Sequence, residues 1–370
     1  MTTNQELYSK RQNRLDMAIA LGMPDKVPII LTGDSFFARH LGIPLADYLK
    51  DLYESSQIHL RSIPQLGEID GVQYLNPCVY SLGQGVYANV KLPGRELPPN
   101  AQWQIEEVNL MTADDYDTIL NKGFIQFHQE FLAKNLPTAL SDMDFHMKTD
   151  FPRIIADYKQ AGYVPFTPII CGVPFDMLSS NRGMSNLVKD LYRIPDKVVS
   201  VIDIMTTDLI EILRAQIRYM KPYAVFIGAT RCASEFLSPK LWEKFALPHL
   251  KRIVETVAGE GCKVLMHFDS NWDRSLEYFR EFPKGKCVFA SDHSTDIYKA
   301  RKVLDGHMCV MGDVPAALLK LGTPDEVYQY CNKLIKDLGP SGFILAVGCC
   351  LPLDAKVENV KAMIAAANGK

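Results

Sequence analysis

Short apolar runs alternate along this chain with longer segments patterned like helices. The runs cover residues 27–33 (VPIILTG), a weaker 71–77 (GVQYLNP), 164–172 (VPFTPIICG) and 224–228 (AVFIG). Four more follow at 262–269 (CKVLMHFD), 286–292 (KCVFASD), 307–313 (HMCVMGD) and 342–348 (GFILAVG). Continuous apolar, β-branched runs of this length suit strands buried on both faces of a parallel sheet. Between them, residues 187–218 carry Ile202, Met205, Leu209, Leu213 and Ile217 at helical spacing. Ser238-Pro239 opens a helix over 241–257, and Thr323-Pro324-Asp325 opens another over 325–338, each an N-cap followed by proline in the first turn. Strand and helix in alternation, repeated to eight, predict a closed α/β barrel of the (β/α)8 type, a TIM barrel.

One spacing is uneven. Residues 78–163 separate the second and third runs, with LPGRELPPN at 92–100 and a helical pattern over 113–134. This segment reads as an insertion over the barrel mouth, a lid or a partner surface, within a single domain spanning 1–370.

Composition narrows the reading. Hydrophobic residues are 47% and charged residues 22%, enough for a large core. A net charge of −3 argues against nucleic-acid binding. No apolar stretch approaches the roughly 20 residues of a membrane span, and the polar N-terminus does not read as a signal peptide. Nine cysteines, an odd number scattered through apolar runs, fit a reduced cytoplasm better than a disulfide framework.

In a barrel, chemistry collects where the strands end. Asp34 follows the first run, His267 and Asp269 end the fifth, Asp292 and His293 the sixth, Asp313 the seventh, and Cys349-Cys350 the eighth. His267 and Asp269, two apart on a strand, face the same way, and zinc takes imidazole, carboxylate and thiolate ligands. His267, Asp269 and Cys349 are therefore the candidate metal ligands. Asp34, Asp292 and His293 are candidate acids or bases, and Arg231, Glu235 and Asp313 candidate substrate contacts. Each has a bland counterpart: strand-end carboxylates cap helices, Arg231 and Glu235 could pair with each other, and buried cysteines are mostly inert. Cys350 is expected to point away from Cys349, and His146 to be solvated. Dinucleotide, Walker and GxSxG motifs are absent, as is a corrinoid-binding D-x-H-x-x-G.

The segment AIALGMPDKVPII from Ala18, the stretches 236–250 (FLSPKLWEKFALPHL) and 261–271 (GCKVLMHFDSN), and the tail 309–327 and 342–363 resemble the uroporphyrinogen decarboxylase superfamily. The decarboxylases' Arg-rich segment after the first strand is replaced here by LTGDSFFARHLG. The resemblance is closer to the corrinoid-linked zinc methyltransferases, marked by H-x-C and a late G-C: His267 and Cys349 match, and Asp269 stands in place of the middle Cys. Residues 92–107 and 273–286 look like the methyltransferase components of aryl methyl ether O-demethylases from anaerobic bacteria. A further zinc pattern of that group, acidic-x27-Cys-x39-Cys, fits Glu281, Cys309 and Cys349 in spacing. Strand polarity argues against it, placing Glu281 at the bottom face and Cys309 early in its strand.

The resemblance implies methyl transfer from an aryl methyl ether to Co(I), with zinc in the barrel and cobalamin brought by a separate corrinoid protein docking at the strand-end face. A homodimer is compatible with it. The rival readings are a corrinoid-linked methyltransferase acting on amines, thiols or folate, an atypical decarboxylase-like lyase, and a non-catalytic corrinoid-protein binding module.

Overall fold

The structure is a computed structural model, and it describes residues 3–370. The strands are β1 (Ile30–Leu31), β2 (Gly71–Val72), β3 (Ala88–Lys91), β4 (Gln104–Glu107), β5 (Val164–Pro165), β6 (Ile169–Gly172), β7 (Ala224–Ala229), β8 (Lys263–Phe268), β9 (Cys287–Ser291), β10 (Cys309–Val314) and β11 (Phe343–Val347). One parallel sheet runs β1-β2-β5 and another β11-β10-β9-β8-β7-β6. A parallel bridge between Ile29 and Leu345, with Leu345 N donating to Pro28 O at 2.9 Å, joins β11 to β1. At the other seam, Val164–Gly172 is one strand in two halves. Its first half pairs with β2, its second with β7, and Phe166 bonds both neighbours through Val72 O and Ala224 N. Counted this way the barrel has eight strands and closes.

Its interior is filled by alternate side chains of the strands: Ile30, Val164, Phe166, Phe226, Leu265, Val288, Met311 and Ile344 form one buried cluster. Leu15, Ala18 and Ile19 of the helix Asn4–Ile19 belong to the same cluster and close the barrel floor. There Arg14, 6% exposed, holds Asp70, 1% exposed, and also bonds Asp25 at 2.6 and 2.8 Å. Asp70 further accepts from Ile29 N at 2.9 Å, so one buried carboxylate ties the N-terminal helix to the first two strands.

The helical segments read from the sequence are shorter than expected. The 187–218 pattern splits at Pro195 into Met184–Arg193 and Pro195–Met220, and the 241–257 helix splits at Ala246 into Pro239–Phe245 and Leu247–Gly259. Proline lacks the N–H that would continue the preceding helix. Pro324–Leu338 does open on a capping box, Thr323 with Glu326. Residues 78–163 hold the antiparallel pair β3–β4 and the helices Val79–Val86, Asp114–Lys122, Phe124–Asn135, Pro137–Met147 and Phe151–Gln160. Among the described residues no helix is long and apolar enough to cross a membrane.

Candidate active site

β8 and β11 carry their last residues to the barrel mouth. His267 shares the inward-facing register of Leu265, and Asp269 follows it two residues on. Gly348 lets the end of β11 lie against the end of β9: a Cβ there would be 3.2 Å from the Asp292 carbonyl carbon. That approach sets the position of Cys349.

One nitrogen of His267, one oxygen of Asp269 and the sulfur of Cys349 lie within 4.8 Å of one another. Nε2 of His267 is 3.3 Å from Asp269 Oδ1, yet it is buried without a well-directed hydrogen bond. Burial opposes charge on this ring, but Asp269 and Cys349 outweigh it and lift its pKa to about 10. The Cys350 thiol and His267 bring Cys349 down to about 5. Cys350 therefore lies against Cys349, not away from it. An orphaned buried imidazole nitrogen facing a carboxylate and a thiolate is the donor set of a zinc site with a fourth position open.

Glu281 bonds Lys251 at 3.0 Å, and Cys309 is fully buried in the barrel interior. The Glu281–Cys309–Cys349 spacing is not a cluster, for the reason strand polarity gave.

The other strand-end residues divide by whether their polar atoms are already engaged. Asp292 accepts from Ser270 N at 3.0 Å and from Ser294 N at 2.9 Å, which clips two loops together. Arg231 pairs with Glu107 on β4 and donates to Ser179 O at 3.3 Å, while Glu235 accepts from Asn271 N at 3.2 Å. The alternative reading, an Arg231–Glu235 ion pair, is not what forms, because Arg231 reaches across to Glu107 in residues 78–163. Asp313, buried, accepts from His293 Nδ1 at 2.9 Å and Tyr330 OH at 2.9 Å, and burial raises its pKa. Asp34 opens the helix Asp34–His40 and is 7% exposed; burial lifts its carboxyl to about 6. Its Oδ2 lies 4.0 Å from the Cys78 sulfur.

Sequence reasoning missed two features. Asp176 accepts from the backbone N–H groups of Thr230 (2.5 Å), Cys232 (2.9 Å) and Arg231 (3.1 Å), holding the loop whose Thr230 hydroxyl lies 3.5 Å from Asp269. The second is a cavity of about 440 Å³ beside the mouth, between the third barrel strand, the helix Pro195–Met220 and the insertion helices. Beyond Gln73 and Thr167 the second and third barrel strands no longer bond each other, and Tyr74–Asn76 and Pro168–Gly172 line the gap. Ile125, Met147, Ile170 and Ile212, each at least 37% exposed, form its apolar rim. No Asp, Glu, Lys or Arg is among the described residues that line it. Its histidines, His128 and His146, are held neutral by burial at about 4. His146, expected in solvent, packs instead against Phe151 with ring centroids 5.0 Å apart. The chamber thus carries no formal charge at neutral pH. Tyr74 lines the chamber and reaches the metal cluster through Phe226, whose ring centroid is 5.7 Å from that of Tyr74 and 5.4 Å from that of His267; burial and the Cys350, Cys78 and Cys349 sulfurs raise its hydroxyl.

A family model described as Uroporphyrinogen decarboxylase (URO-D) matches residues 159–369. The chain belongs to the uroporphyrinogen decarboxylase family. Within that family it is 28% identical over 196 residues to the uroporphyrinogen decarboxylase of Geobacter sulfurreducens, covering 51% of this chain and 55% of the relative. It is 27% identical over 130 residues to the methylcobamide:CoM methyltransferase MtbA of Methanosarcina mazei, 35% of this chain and 37% of that one. The chain spans about half the length of the curated uroporphyrinogen decarboxylases it matches. A solved structure of a methyltransferase from Methanosarcina mazei superposes with a TM-score of 0.71 at 17% identity, covering 97% of this chain and 98% of that one. That likeness of fold takes in most of residues 78–163 as well.

Proposed function

We propose that this chain transfers a methyl group from an aryl methyl ether to the Co(I) of a separate corrinoid protein, leaving a phenol. The observation that carries the reading is the His267–Asp269–Cys349 cluster at the mouth, beside a chamber with no charged side chain among the described residues that line it. An ionic donor would lose its hydration on entering such a chamber with no counter-charge to meet it, at a cost of several kcal/mol. A neutral methoxyarene loses little and gains apolar contact. The chamber volume lies within the range of small-molecule sites. The resemblance of residues 92–107 and 273–286 to O-demethylase components points the same way.

In this reading His267, Asp269 and Cys349 hold zinc, which supplies Lewis acidity toward the leaving oxygen when bound. The chain's own residues do the rest. The chamber walls orient the ring so that its methyl faces the mouth, where the corrinoid protein docks with cobalt in line. Asp34, which lies behind the chamber lining with its Oδ2 4.0 Å from the sulfur of the lining residue Cys78, is the proton donor to the leaving oxygen. Asp292, Arg231 and Glu235 hold the loops that shape the mouth. His293 and Asp313 form a second strand-end pair beside it.

The test supplies cob(I)alamin and follows its absorbance with methoxyarenes, methylated amines and methylated thiols as donors. Transfer from guaiacol-like ethers alone supports the proposal. Transfer from amines or thiols alone overturns the donor class. No transfer from any donor, with metal and a corrinoid protein supplied, overturns the methyltransferase reading in favour of a lyase or a binding module. Metal analysis of His267→Ala and Cys349→Ala is the parallel check: full metal content and full activity in both would end the zinc assignment.

A further inference from the structure

Asp34 stands at the end of a chain of hydrogen bonds separate from the metal cluster. Its Oδ1 is 3.2 Å from the Tyr48 hydroxyl, which is 2.6 Å from His59 Nε2. Nδ1 of His59 lies 3.1 Å from the Tyr158 hydroxyl, and that hydroxyl donates to the Leu75 carbonyl at 3.0 Å. Tyr48, His59 and Tyr158 are wholly buried and come from three helices, Leu45–Tyr48, Leu52–Leu66 and Phe151–Gln160. The other polar groups about Asp34 are the Ser35 hydroxyl at 3.5 Å and the Cys78 and Cys350 thiols. No cation faces it.

The proton count along this chain has a direction. The Leu75 carbonyl only accepts, so Tyr158 gives its proton there and accepts from His59 Nδ1–H. Burial drives the His59 pKa down to about 3, so the ring carries one proton and its Nε2 is bare. Tyr48 donates to Nε2 over the shorter of its two contacts, which turns a lone pair toward Asp34. That last contact is a hydrogen bond only if Asp34 itself carries a proton.

We infer that the Tyr48–His59–Tyr158 chain favours the protonated form of Asp34 and raises the share of it present as a neutral carboxylic acid, poised to give its proton to the departing oxygen of the methyl donor. Ionising Asp34 reverses every donor in the chain: Tyr48 turns to Asp34, His59 changes tautomer, Tyr158 turns to His59, and the Leu75 carbonyl loses its partner. Burial and this lost hydrogen bond both favour the acid. The proton's use rests on the methyl-transfer reading; the protonation state does not. In that step the C–O bond breaks with its electron pair on the aryl oxygen, and the cobalt electron pair forms the bond to methyl. The oxygen takes the Asp34 proton, phenol leaves, and water returns a proton to the carboxylate. Tyr48, His59 and Tyr158 are positioning residues.

The experiment is an infrared titration of the purified protein without donor, with Asp34→Asn subtracted to isolate one carboxyl. The expected midpoint lies well above the ordinary aspartate value near 4. Tyr158→Phe leaves the Leu75 carbonyl unpartnered in both states and frees His59 to use its other tautomer, so the midpoint falls by on the order of one pH unit. Tyr48→Phe removes the nearer of the two hydroxyls that could serve the anion and leaves only the longer Ser35 contact, so its midpoint does not fall. A wild-type midpoint near 4, or no shift in a folded Tyr158→Phe, overturns the relay. The pH profile of single-turnover methyl transfer should move with the midpoint. A shifted midpoint with an unmoved profile overturns the catalytic use of the proton. Absence of transfer in the wild type sinks the methyltransferase reading while leaving the titration interpretable.

Discussion

Gly172 offers a direct test of where the methyl donor sits. It ends β6 and lines the uncharged chamber, and a Cβ placed on it meets nothing nearer than Met177 Cγ at 3.9 Å. Its backbone is not in the left-handed region, so a larger side chain is accommodated without strain. Gly172→Leu therefore puts an isobutyl group into the chamber and takes the room of about three ring carbons. At about 0.8 kcal/mol per buried carbon the donor loses about 2.4 kcal/mol. That is about 50-fold in affinity at 1.4 kcal/mol per tenfold. The substitution also restricts the unfolded chain and is expected to add about 0.4–1 kcal/mol of stability. The assay is single-turnover methyl transfer against donor concentration, with melting temperature and metal content measured on the same preparation. The expected outcome is a half-saturating concentration raised about 50-fold, with melting temperature and metal unchanged or higher. A half-saturation within threefold of wild type, in a folded and metal-replete variant, refutes the placement of the donor in this chamber.

Three other outcomes follow from the geometry. Arg14→Met leaves the Asp70 carboxylate buried beside a single backbone donor and should cost about 3–5 kcal/mol, lowering the melting temperature by roughly 5 °C; an unchanged melt refutes the floor clamp. Burial depresses His128, His146 and His249 to about 4 and His59 to about 3, so each binds its proton in the unfolded chain first. The contribution of these four rings should be full above about pH 6.5 and fall as pH drops toward 4, by up to about 1.4 kcal/mol per pH unit for each ring, read as the urea midpoint at stepped pH. A midpoint flat between pH 7.5 and 5 rules this out. Finally, Arg231→Ala breaks a partly exposed pair with Glu107, so its stability loss should stay below about 1 kcal/mol by the same urea titration.

The barrel was legible because its fully buried parallel strands appear as short apolar runs repeated between longer helical patterns. Runs such as VLMHF and CVFAS have no polar alternation to confuse them with surface strands. Pairing across the ring then follows from order alone, and the polarity of the strands placed His267, Asp269 and Cys349 at one end. Strand polarity also disposed of Glu281 and Cys309, whose spacing alone would have admitted them. What the sequence did not carry depends on packing between distant segments. The break of the third strand at Pro168 is set by which neighbours its two halves meet. His146 looks polar and exposed in DMDFHMKTD, and only the packing of Phe151 and the third strand against its helix buries it. Tyr48, His59 and Tyr158 sit in three separate helices, and nothing in their local sequence says that they touch. Arg231 and Glu235 are four apart and seemed natural partners, but the β3–β4 hairpin brings Glu107 to Arg231 instead.

The change of partner along the third strand has a kinetic consequence. Because β5 stays with β2 while β6 leaves with β7, the wall of the barrel parts and gives the chamber its own opening at Ile125, Met147 and Ile212. Cys349 is exposed at a different place, the mouth. Two doors mean that the small donor and the large methyl acceptor need not queue. On the proposed reading both can be bound at once in either order. Steady-state rates should then give intersecting double-reciprocal lines, and the parallel lines of a shuttle through a methylated form of this chain should not appear.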